Sequence, residues 1–221
     1  MSAVSPGCNE LPLGRVLKLK PTRMLMAESQ RTLFSIRSSP SLPEGFSYFG
    51  QAISAENESL LLAQLANLPF KEFQFRGFEG KRRVVSFGWR YDFNDHKVLQ
   101  AEPIPPFLLE IYRSVQAASG FVLRELQQVL VSEYAPGAPI GWHKDRPVFG
   151  EIMGLSLASS CSFRLRKRFG GKWQRVTVRL EPRSAYFLEG AVRWEWEHSI
   201  PPVKTLRYSI TFRNLRKSFK Y

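Results

Sequence analysis

The sequence predicts a mainly β fold with two helices towards its N-terminal side, an α+β arrangement. From Leu126 onward, short runs rich in β-branched and apolar residues alternate with Gly- and Pro-containing turns, as in LQQVLVSEY and TLRYSITFR. Before that point, SAENESLLLAQLANLP and PIPPFLLEIYRSVQAASG carry apolar residues at the spacing of helices. Short strands with almost no helix between them indicate a sandwich, a barrel or a jelly roll.

Both helices have recognisable ends. Ser54 is a suitable N-cap for the first helix, and acidic residues follow in its first turn, where they interact favourably with the helix dipole. Leu61, Leu65 and Leu68 then fall on one face of this helix. The second helix is predicted to begin at the prolines of PIPP and to end just before Gly120.

The remaining strands are short and separated by turns. FKEFQFRGFEGKRRVVSFGWRYDF, between the two helices, predicts two strands around a Gly-containing turn. FGGKW, between CSFRLRK and RVTVRL, predicts the tip of a hairpin. EIMGLSLAS and SAYFLEG are further predicted strands, and Cys161 alternates with strand residues in the manner of a small core residue.

Length and composition indicate one domain with a tail. A chain of 221 residues, 43% of them hydrophobic, can bury a sizeable core. Residues 1–40 are basic and lack clear periodicity, so we expect a flexible tail there and a compact domain over 41–221. Two distant cysteines without a CxxC motif favour a reducing, cytoplasmic location. No apolar run is long enough for a membrane helix, and we expect a monomer without a membrane partner.

The charge of the chain is strongly basic. Lys and Arg total 32 against 19 Asp and Glu, which gives a formal net charge of +13. Such an excess favours a polyanionic partner, with nucleic acid first among them. A basic surface that serves only solubility explains the charge equally well.

Two stretches carry residues suited to chemistry. In GWHKDRPVFG, His143 and Asp145 would point to the same face of a strand, where they could bind one ion or only each other. In TLRYSITFR, Arg207 and Arg213 lie on the polar face of a predicted strand. That face either contacts water or forms an internal site for a carboxylate, which a guanidinium group binds in a bidentate manner.

The order of these residues favours a metal site over isolated pairs. His143 and Asp145 are followed by a block of strands, then by His198, and then by the two arginines. Two histidines and one carboxylate can occupy one face of a ferrous ion and leave the other positions for substrate oxygens and dioxygen. A 2-oxo acid would take two of those positions, and its far carboxylate would need an arginine.

Three motifs of the chain resemble the AlkB family of Fe(II)- and 2-oxoglutarate-dependent dioxygenases. SEYAPGAPIGWHKD, GAVRWEWEHSI and RYSITFR are similar to the family patterns NxYxxGxxIxxHxD, GxxRxxxHxI and RxNxTxR. The resemblance covers about residues 42–215. It implies a double-stranded β-helix, or jelly roll, with a substrate lid at about 70–95, and an enzyme that uses Fe(II) and 2-oxoglutarate to oxidise a C–H bond.

Carried over residue by residue, the resemblance assigns a metal site and a cosubstrate site. It implies that His143, Asp145 and His198 bind the iron and that Tyr134, Arg207, Ser209 and Arg213 bind 2-oxoglutarate. The chain departs from the family pattern at Ser132 and Ser209, where the founding member has asparagines. Pro147 stands where that member has a second aspartate, which leaves the preferred base open.

The resemblance also implies an alkylated base in DNA or RNA as substrate. Oxidation of an N-methyl group would give a hemiaminal that collapses to formaldehyde and the unmodified base. Two basic and aromatic stretches are expected to hold it, one on the lid and one on the hairpin. The expected contacts are Phe75, Arg76, Phe78, Arg82, Trp89, Tyr91, Arg166, Lys167 and Arg168. The phenylalanines could instead only cover the open end of the barrel, and the charges could only protect an edge strand from aggregation.

Two rival functions remain open from the sequence. One is the same chemistry on a protein side chain or on a small metabolite. The other is a basic RNA-binding module whose metal site is vestigial.

Overall fold

The computed structural model describes residues 42–75 and 78–216, apart from the side chains of 74–75 and 78–80. Within these residues the strands are β1 (Phe46–Phe49), β2 (Lys71–Phe75), β3 (Phe78–Phe87), β4 (Trp89–Asp92), β5 (Lys97–Gln100), β6 (Gln128–Tyr134), β7 (Ile140–His143), β8 (Phe149–Leu157), β9 (Cys161–Phe169), β10 (Lys172–Leu180), β11 (Ser184–Leu188), β12 (Glu197–Ile200) and β13 (Arg207–Leu215). The helices are α1 (Ala55–Leu65), α2 (Pro106–Ser119) and α3 (Gly190–Glu195). The predicted tail over 1–40 lies outside the described residues, so its boundary with the domain stays a prediction.

Two antiparallel sheets enclose the inner core. The major sheet has the strand order β1-β11-β8-β13-β6-β3-β2, and the minor sheet has the order β10-β9-β12-β7. Apolar side chains from both sheets meet between them, among them Ile152 of the major sheet and Phe163 and Val176 of the minor sheet. This arrangement confirms the predicted jelly roll, in which the sheet order crosses between distant parts of the chain.

Both predicted helices are present, and α2 has both of its predicted ends. α1 begins after its predicted N-cap but ends at Leu65, so Leu68 lies beyond the helix. Ser54 accepts a hydrogen bond from the Asn57 backbone N–H and caps α1. Gly120 ends α2 in the left-handed conformation, with φ of 72°. Leu61 and Leu65 of α1 and Leu108 of α2 are buried against the outer face of the major sheet, so this face is covered by helices. No helix in the described part of the chain is long and apolar enough to cross a membrane.

The hairpin predicted at FGGKW is formed by β9 and β10. Lys172 pairs with Phe169 across the turn, and Gly170 and Gly171 both have positive φ, of 54° and 77°. Two such residues in sequence match a type I′ turn, whose twist suits a two-residue hairpin.

A strand through His143 and Asp145 was considered from the sequence, whereas the strand that carries His198 was not predicted. β7 and β12 have only four residues each, and neither shows a clean alternation of apolar and polar residues. The short helix α3, which precedes β12, was also missed because six residues carry too little periodicity to recognise.

The polar face of the last strand, β13, is buried. All nine residues of β13 are buried, so the expectation that Arg207 and Arg213 could face water is wrong. Tyr208, Ile210 and Phe212 pack on the helix side of the major sheet. The alternating arginines therefore point into the space between the two sheets, since successive side chains of a strand lie on opposite faces.

Candidate metal centre and cosubstrate pocket

The structure brings His143, Asp145 and His198 into one cluster. His143 ends β7 and is the register partner of His198 on β12, with ring centroids 4.2 Å apart. Asp145 follows in the loop after β7, not on the strand itself, and its Oδ1 lies 3.9 Å from His143 Nε2. One ligand atom from each of the three residues lies within 4.8 Å of the others, which suits a single metal ion.

Both imidazoles are held in the neutral form that binds metals. Burial lowers the pKa of His198 to about 3, and the neighbouring His143, Arg213 and Arg193 lower it further against the opposing effect of Asp145. Burial also lowers the pKa of His143. His143 Nδ1 lies 2.8 Å from the Gly141 carbonyl oxygen, which accepts a hydrogen bond from Nδ1–H. The unprotonated Nε2 is then left to face the cluster.

Asp145 is ionised because positive charges surround it. Burial alone would raise its pKa, but the guanidinium of Arg213, together with His198, His143 and Arg193, holds the pKa well below its usual range. Arg213 Nη2 donates to Asp145 Oδ1 over 3.1 Å, and Arg213 Nη1 donates to Gln128 Oε1. The carboxylate is thus oriented by an arginine of the last strand.

Arg193 of α3 fixes the loop that carries Asp145. Its side chain is 3% exposed, and it donates to the carbonyl oxygens of Asp145, Arg146, Phe149 and Gly150. Burial lowers its pKa to about 10, so it remains charged at neutral pH. One residue therefore holds both ends of the loop between the first two ligands and β8.

Arg207 lies fully buried in the pocket and is only partly satisfied. Its Nη2 donates to Ser156 Oγ over 3.1 Å, whereas its Nε and Nη1 have no partner among the described residues. The Tyr134 ring lies 4.9 Å from its guanidinium carbon, and the Cys161 thiol lies within hydrogen-bonding reach. Burial of a guanidinium whose N–H groups lack acceptors is energetically unfavourable, so an anionic ligand is expected to accept hydrogen bonds from Nε and Nη1.

Four serines line the floor beside Arg207. Ser209 pairs in register with Ser132 on one side and with Ser156 on the other, and Ser156 pairs with Ser184. Ser132 and Ser209 stand at the positions where asparagines were expected from the family pattern. Shorter side chains on adjacent strands leave more room at this end of the pocket than asparagines would.

The lid residues differ in their position relative to the pocket. Arg82 of β3 is buried opposite Tyr134, with its guanidinium carbon 4.3 Å from the Phe73 ring and 5.9 Å from the Tyr134 ring. Trp89 and Tyr91 pack instead against the cluster of Val148, Phe149 and Leu215. Arg76 and the side chains of Phe75 and Phe78 lie outside the described residues, so their substrate roles stay predictions.

The hairpin residues do not share one surface. Arg166 and Arg168 of β9 point to the outer face of the minor sheet, with Arg164 of the same strand. Lys167 points to the other face, where its Nζ pairs with Glu195 at 2.8 Å and lies over the Trp196 ring. The three residues that are adjacent in sequence are therefore divided between two faces.

Comparison with known proteins identifies the family. The model of the 2OG-Fe(II) oxygenase superfamily matches residues 45–213. A mouse protein named tRNA (carboxymethyluridine(34)-5-O)-methyltransferase ALKBH8 is 30% identical over 171 residues, which are 74% of this chain and 25% of the mouse protein. An uncharacterised protein of Acanthamoeba polyphaga mimivirus, L905, is 26% identical over 78% of this chain and 86% of its own length.

Two further proteins are similar to this chain. A zebrafish protein named probable RNA/DNA demethylase ALKBH6 is 32% identical over 46% of this chain and 41% of its own length. The solved structure of OsALKBH1 matches 79% of this chain and 98% of its own with a TM-score of 0.63 at 15% identity, so it shows the same fold. The chain spans about a quarter of the length of the mouse relative.

The chain belongs to the 2OG-Fe(II) oxygenase superfamily, among its AlkB-like members. The residues present fit the two groups that the name of this superfamily implies, Fe(II) and 2-oxoglutarate. The His143, Asp145 and His198 cluster offers two neutral imidazoles and a carboxylate for Fe(II). The unpaired nitrogens of buried Arg207 and Arg213 offer donors for the carboxylates of 2-oxoglutarate.

Several pocket residues could not be identified from the sequence. Arg193, Ser156, Gly154 and Tyr186 reach the pocket only because three separate elements, α3, β8 and β11, meet there. Arg193 lies within the GAVRWEWEHSI motif, and this is the one signal in the sequence that could have singled it out. The others have the composition of ordinary strand residues.

Proposed function

We propose that this enzyme oxidatively removes alkyl groups from bases in nucleic acid. The observation that carries the proposal is a face of the minor sheet where arginines and tryptophans alternate, close to the metal cluster. Fe(II), 2-oxoglutarate and dioxygen together supply the oxidation of a C–H bond when they are bound. The residues of the chain bind, orient and shield these groups.

Within this proposal, each pocket residue has a defined task. His143, Asp145 and His198 hold the metal. Arg207 binds the far carboxylate of 2-oxoglutarate with its free fork, while Tyr134 and Ser209 line the same end of the pocket. Arg213 orients Asp145 and lies at the metal end of the cosubstrate. The jelly roll keeps these groups on neighbouring strands, so little reorganisation is required on binding.

The surface proposed for nucleic acid is a cationic and aromatic face. Arg166 lies between two indole rings, 4.3 Å from Trp142 and 4.2 Å from Trp173, and its Nε donates to Glu197. Arg164, Arg168 and Arg175 surround this group within about 6 Å of the same rings, a range typical of cation–π contacts. Among the described residues, none of these three arginines pairs with a carboxylate.

We call the group of Trp142, Arg164, Arg166, Arg168, Trp173 and Arg175 the arginine–tryptophan face. Free guanidinium groups bind phosphates, and exposed parts of aromatic rings can stack on unpaired bases. Trp142 immediately precedes the metal ligand His143 in β7, so this face adjoins the strand that holds the metal. Arg82 is buried and is the register partner of Tyr134, and in this proposal it contacts the base that enters the pocket.

The names of the relatives are consistent with a nucleic-acid substrate, since they describe a tRNA-modifying protein and a probable RNA/DNA demethylase. We also propose a cytoplasmic monomer. The one cysteine among the described residues, Cys161, is free and buried, which is compatible with a reducing compartment.

The decisive experiment is a substrate panel read by mass spectrometry. Purified protein with Fe(II), 2-oxoglutarate and ascorbate is incubated with oligonucleotides that carry single alkylated bases, in DNA and in RNA. The proposal predicts loss of the alkyl mass from at least one oligonucleotide together with one succinate per event. The His198→Ala variant serves as the inactive control.

The alternatives predict different results from the same panel. Succinate formation with histone-like peptides or with small metabolites, but with no oligonucleotide, would favour the protein or metabolite substrate. Oligonucleotide binding without any succinate from 2-oxoglutarate would favour an RNA-binding module with a vestigial metal site.

A further inference from the structure

Tyr186 points from β11 into the space between the two sheets. Its side chain is 7% exposed, and it shares the inner face of β11 with Ser184 and Leu188. The Tyr186 ring packs on Phe163 with centroids 5.0 Å apart, and Phe163 in turn stacks on the metal ligand His198 at 5.2 Å. The phenol is therefore separated from the metal centre by a single aromatic ring.

Gly154 on the neighbouring strand makes this position possible. It is the register partner of Tyr186, and a Cβ atom at Gly154 would lie 2.1 Å from Tyr186 Cζ and 2.5 Å from Tyr186 Oη. The phenol thus crosses directly over β8. On its other side Gly154 pairs with Thr211 of β13, so the hydroxyl points towards the part of β13 between Arg207 and Arg213.

The hydroxyl is protonated and available as a donor. Burial raises the pKa of Tyr186, and the opposing positive charges of Arg207 and Arg213 do not offset this effect. Tyr134 and Asp145 are the other charged or ionisable neighbours that act on it, and they raise the pKa further. No side-chain hydrogen bond joins Tyr186 Oη to another described residue, and the fully buried polar atoms that lack a partner belong only to Arg207 and Arg213. The phenol is thus available to donate to the same ligand that the unpaired nitrogens of Arg207 and Arg213 are expected to bind.

We propose that Tyr186 is a further cosubstrate-binding residue, which donates a hydrogen bond to a carboxylate oxygen of 2-oxoglutarate held between Arg207 and Arg213. The ring of Tyr186 also closes the side of the pocket over Gly154 and limits the length of the 2-oxo acid that fits. The chemistry is that of a dicarboxylate, because two guanidinium groups and a phenol together provide donors for two anionic ends. This inference rests on the placement of the cosubstrate in the proposed function.

The test measures cosubstrate binding rather than turnover. Protein loaded with Mn²⁺ in place of Fe(II) is titrated by calorimetry with 2-oxoglutarate and with 2-oxoadipate, which is one methylene longer. Tyr186→Phe should weaken 2-oxoglutarate binding by about tenfold, because a hydrogen bond to a charged acceptor is lost while the ring remains. Its preference for 2-oxoglutarate over 2-oxoadipate should be retained, whereas Tyr186→Leu should reduce that preference.

Two further variants make the result specific. Gly154→Ala should weaken binding of both acids, because its methyl group displaces the phenol. Tyr112→Phe is the matched control: Tyr112 is 8% exposed, but it belongs to the cluster on the helix side of the major sheet. Thermal unfolding of each variant verifies that the fold is retained.

The outcomes distinguish a failure of the role of Tyr186 from a failure of the proposed cosubstrate site. Affinities like that of the unmodified protein in both Tyr186→Phe and Gly154→Ala would overturn the role of Tyr186. If Arg207→Ala loses binding in the same series, the cosubstrate site stands and only Tyr186 fails. Unchanged binding in Arg207→Ala would instead overturn the placement of the cosubstrate.

Discussion

His143 and His198 face each other directly across the strand pair β7 and β12, with ring centroids 4.2 Å apart. Hydrogen bonds between the two strands set this distance, so the two imidazoles cannot separate without breaking the pair. Asp145 has no such support and depends on side chains, with Arg213 donating to its carboxylate and Arg193 to its backbone carbonyl. Strand pairing therefore holds the two histidines of the cluster, whereas side-chain hydrogen bonds hold Asp145. Substitution of Arg213 or Arg193 should accordingly affect Asp145 more than the histidines.

Removal of a ligand should abolish metal binding and leave the fold intact. His198→Ala and Asp145→Ala are each expected to lower Fe(II) affinity by more than about 100-fold, because even outer partners of metal ligands are worth about 10- to 100-fold. Metal titration under anaerobic conditions measures the affinity, and thermal unfolding of the metal-free forms verifies the fold. His96→Ala is the control, since His96 contacts Tyr91 and lies outside the cluster. Fe(II) binding by His198→Ala with unchanged affinity would contradict the assignment.

Arg207→Ala should raise the 2-oxoglutarate concentration needed for half-maximal succinate formation by at least about 100-fold, because the far carboxylate loses a charge-assisted bidentate partner. Arg207→Lys should restore only part of the affinity, since a single ammonium cannot reproduce the fork of a guanidinium. Both variants are compared by steady-state kinetics and by direct titration. An Arg207→Lys enzyme with the affinity of the unmodified protein would show that geometry at this position is unimportant.

Arg193→Ala should reduce both stability and metal affinity. Four carbonyl oxygens of the 145–150 loop would lose their donor, and a loss of about 2–4 kcal/mol in the free energy of unfolding is expected for such a buried group. Metal affinity should fall by about 10- to 100-fold, because Asp145 is no longer held in place. Urea unfolding of the metal-free protein and Fe(II) titration measure the two effects separately.

If Arg193 positions Asp145, Arg193→Ala should lose Fe(II) affinity as well as stability. Arg216→Ala is the control, because Arg216 stacks on the same Trp194 ring but is exposed. If Arg193→Ala is destabilised but binds Fe(II) as the unmodified protein does, the residue serves only the fold.

The metal-free protein should lose stability as the pH falls from about 6.5 to 3. His198 is neutral in the folded protein because burial lowers its pKa to about 3, whereas it takes up a proton near pH 6.5 when the chain is unfolded. The unfolded state therefore binds more protons in this window, so stability decreases with decreasing pH. When the free energy of unfolding is measured with urea from pH 7 to 4, it should depend less on pH in His198→Asn than in the unmodified protein. Equal slopes in the two proteins would contradict the low pKa.

The sequence predicted the elements that have a strong period. α1, α2 and most strands of the jelly roll follow from apolar spacing, N-caps and glycine turns, and these features depend only on neighbouring residues. β12 was missed, and the strand at His143 was extended too far, to Asp145. Each of the two strands has only four residues, and their conformation is set by pairing of β12 with β7 and with β9. The metal-binding histidines were found by motif rather than by structure, since their strands are too short to show a period.

The pocket lining was the least predictable part of the site. Tyr186 belongs to a strand that is buried on both faces, so no pattern of apolar and polar residues indicates which side chains point inward. Arg193 acts through backbone carbonyls, which every residue possesses and which leave no trace in the sequence. The division of Arg166 and Lys167 between two faces does follow from strand alternation and could have been predicted.

The arginine–tryptophan face should make oligonucleotide binding strongly dependent on salt. Neutralising phosphates releases counterions, so the logarithm of the binding constant falls linearly with the logarithm of salt concentration. The triple variant Arg164→Ser, Arg168→Ser, Arg175→Ser removes three guanidinium groups that have no carboxylate partner among the described residues. If each binds one phosphate of a single strand, the slope should decrease in magnitude by about 2, at roughly 0.7 per contact. Fluorescence anisotropy with a labelled oligonucleotide from 50 to 300 mM NaCl measures the slope.

Two controls distinguish this face from charge in general. Lys167→Ser removes a cation of the same hairpin that points to the other face and pairs with Glu195, and Arg113→Ser removes an exposed one from α2. Both should leave the slope nearly unchanged, because neither cation is placed to contact the bound strand. Turnover of a free alkylated nucleoside should be the same in all variants, since the metal cluster and Arg207 are untouched. A triple variant that binds oligonucleotides like the unmodified protein across the whole salt series would exclude the arginine–tryptophan face and favour a substrate other than nucleic acid.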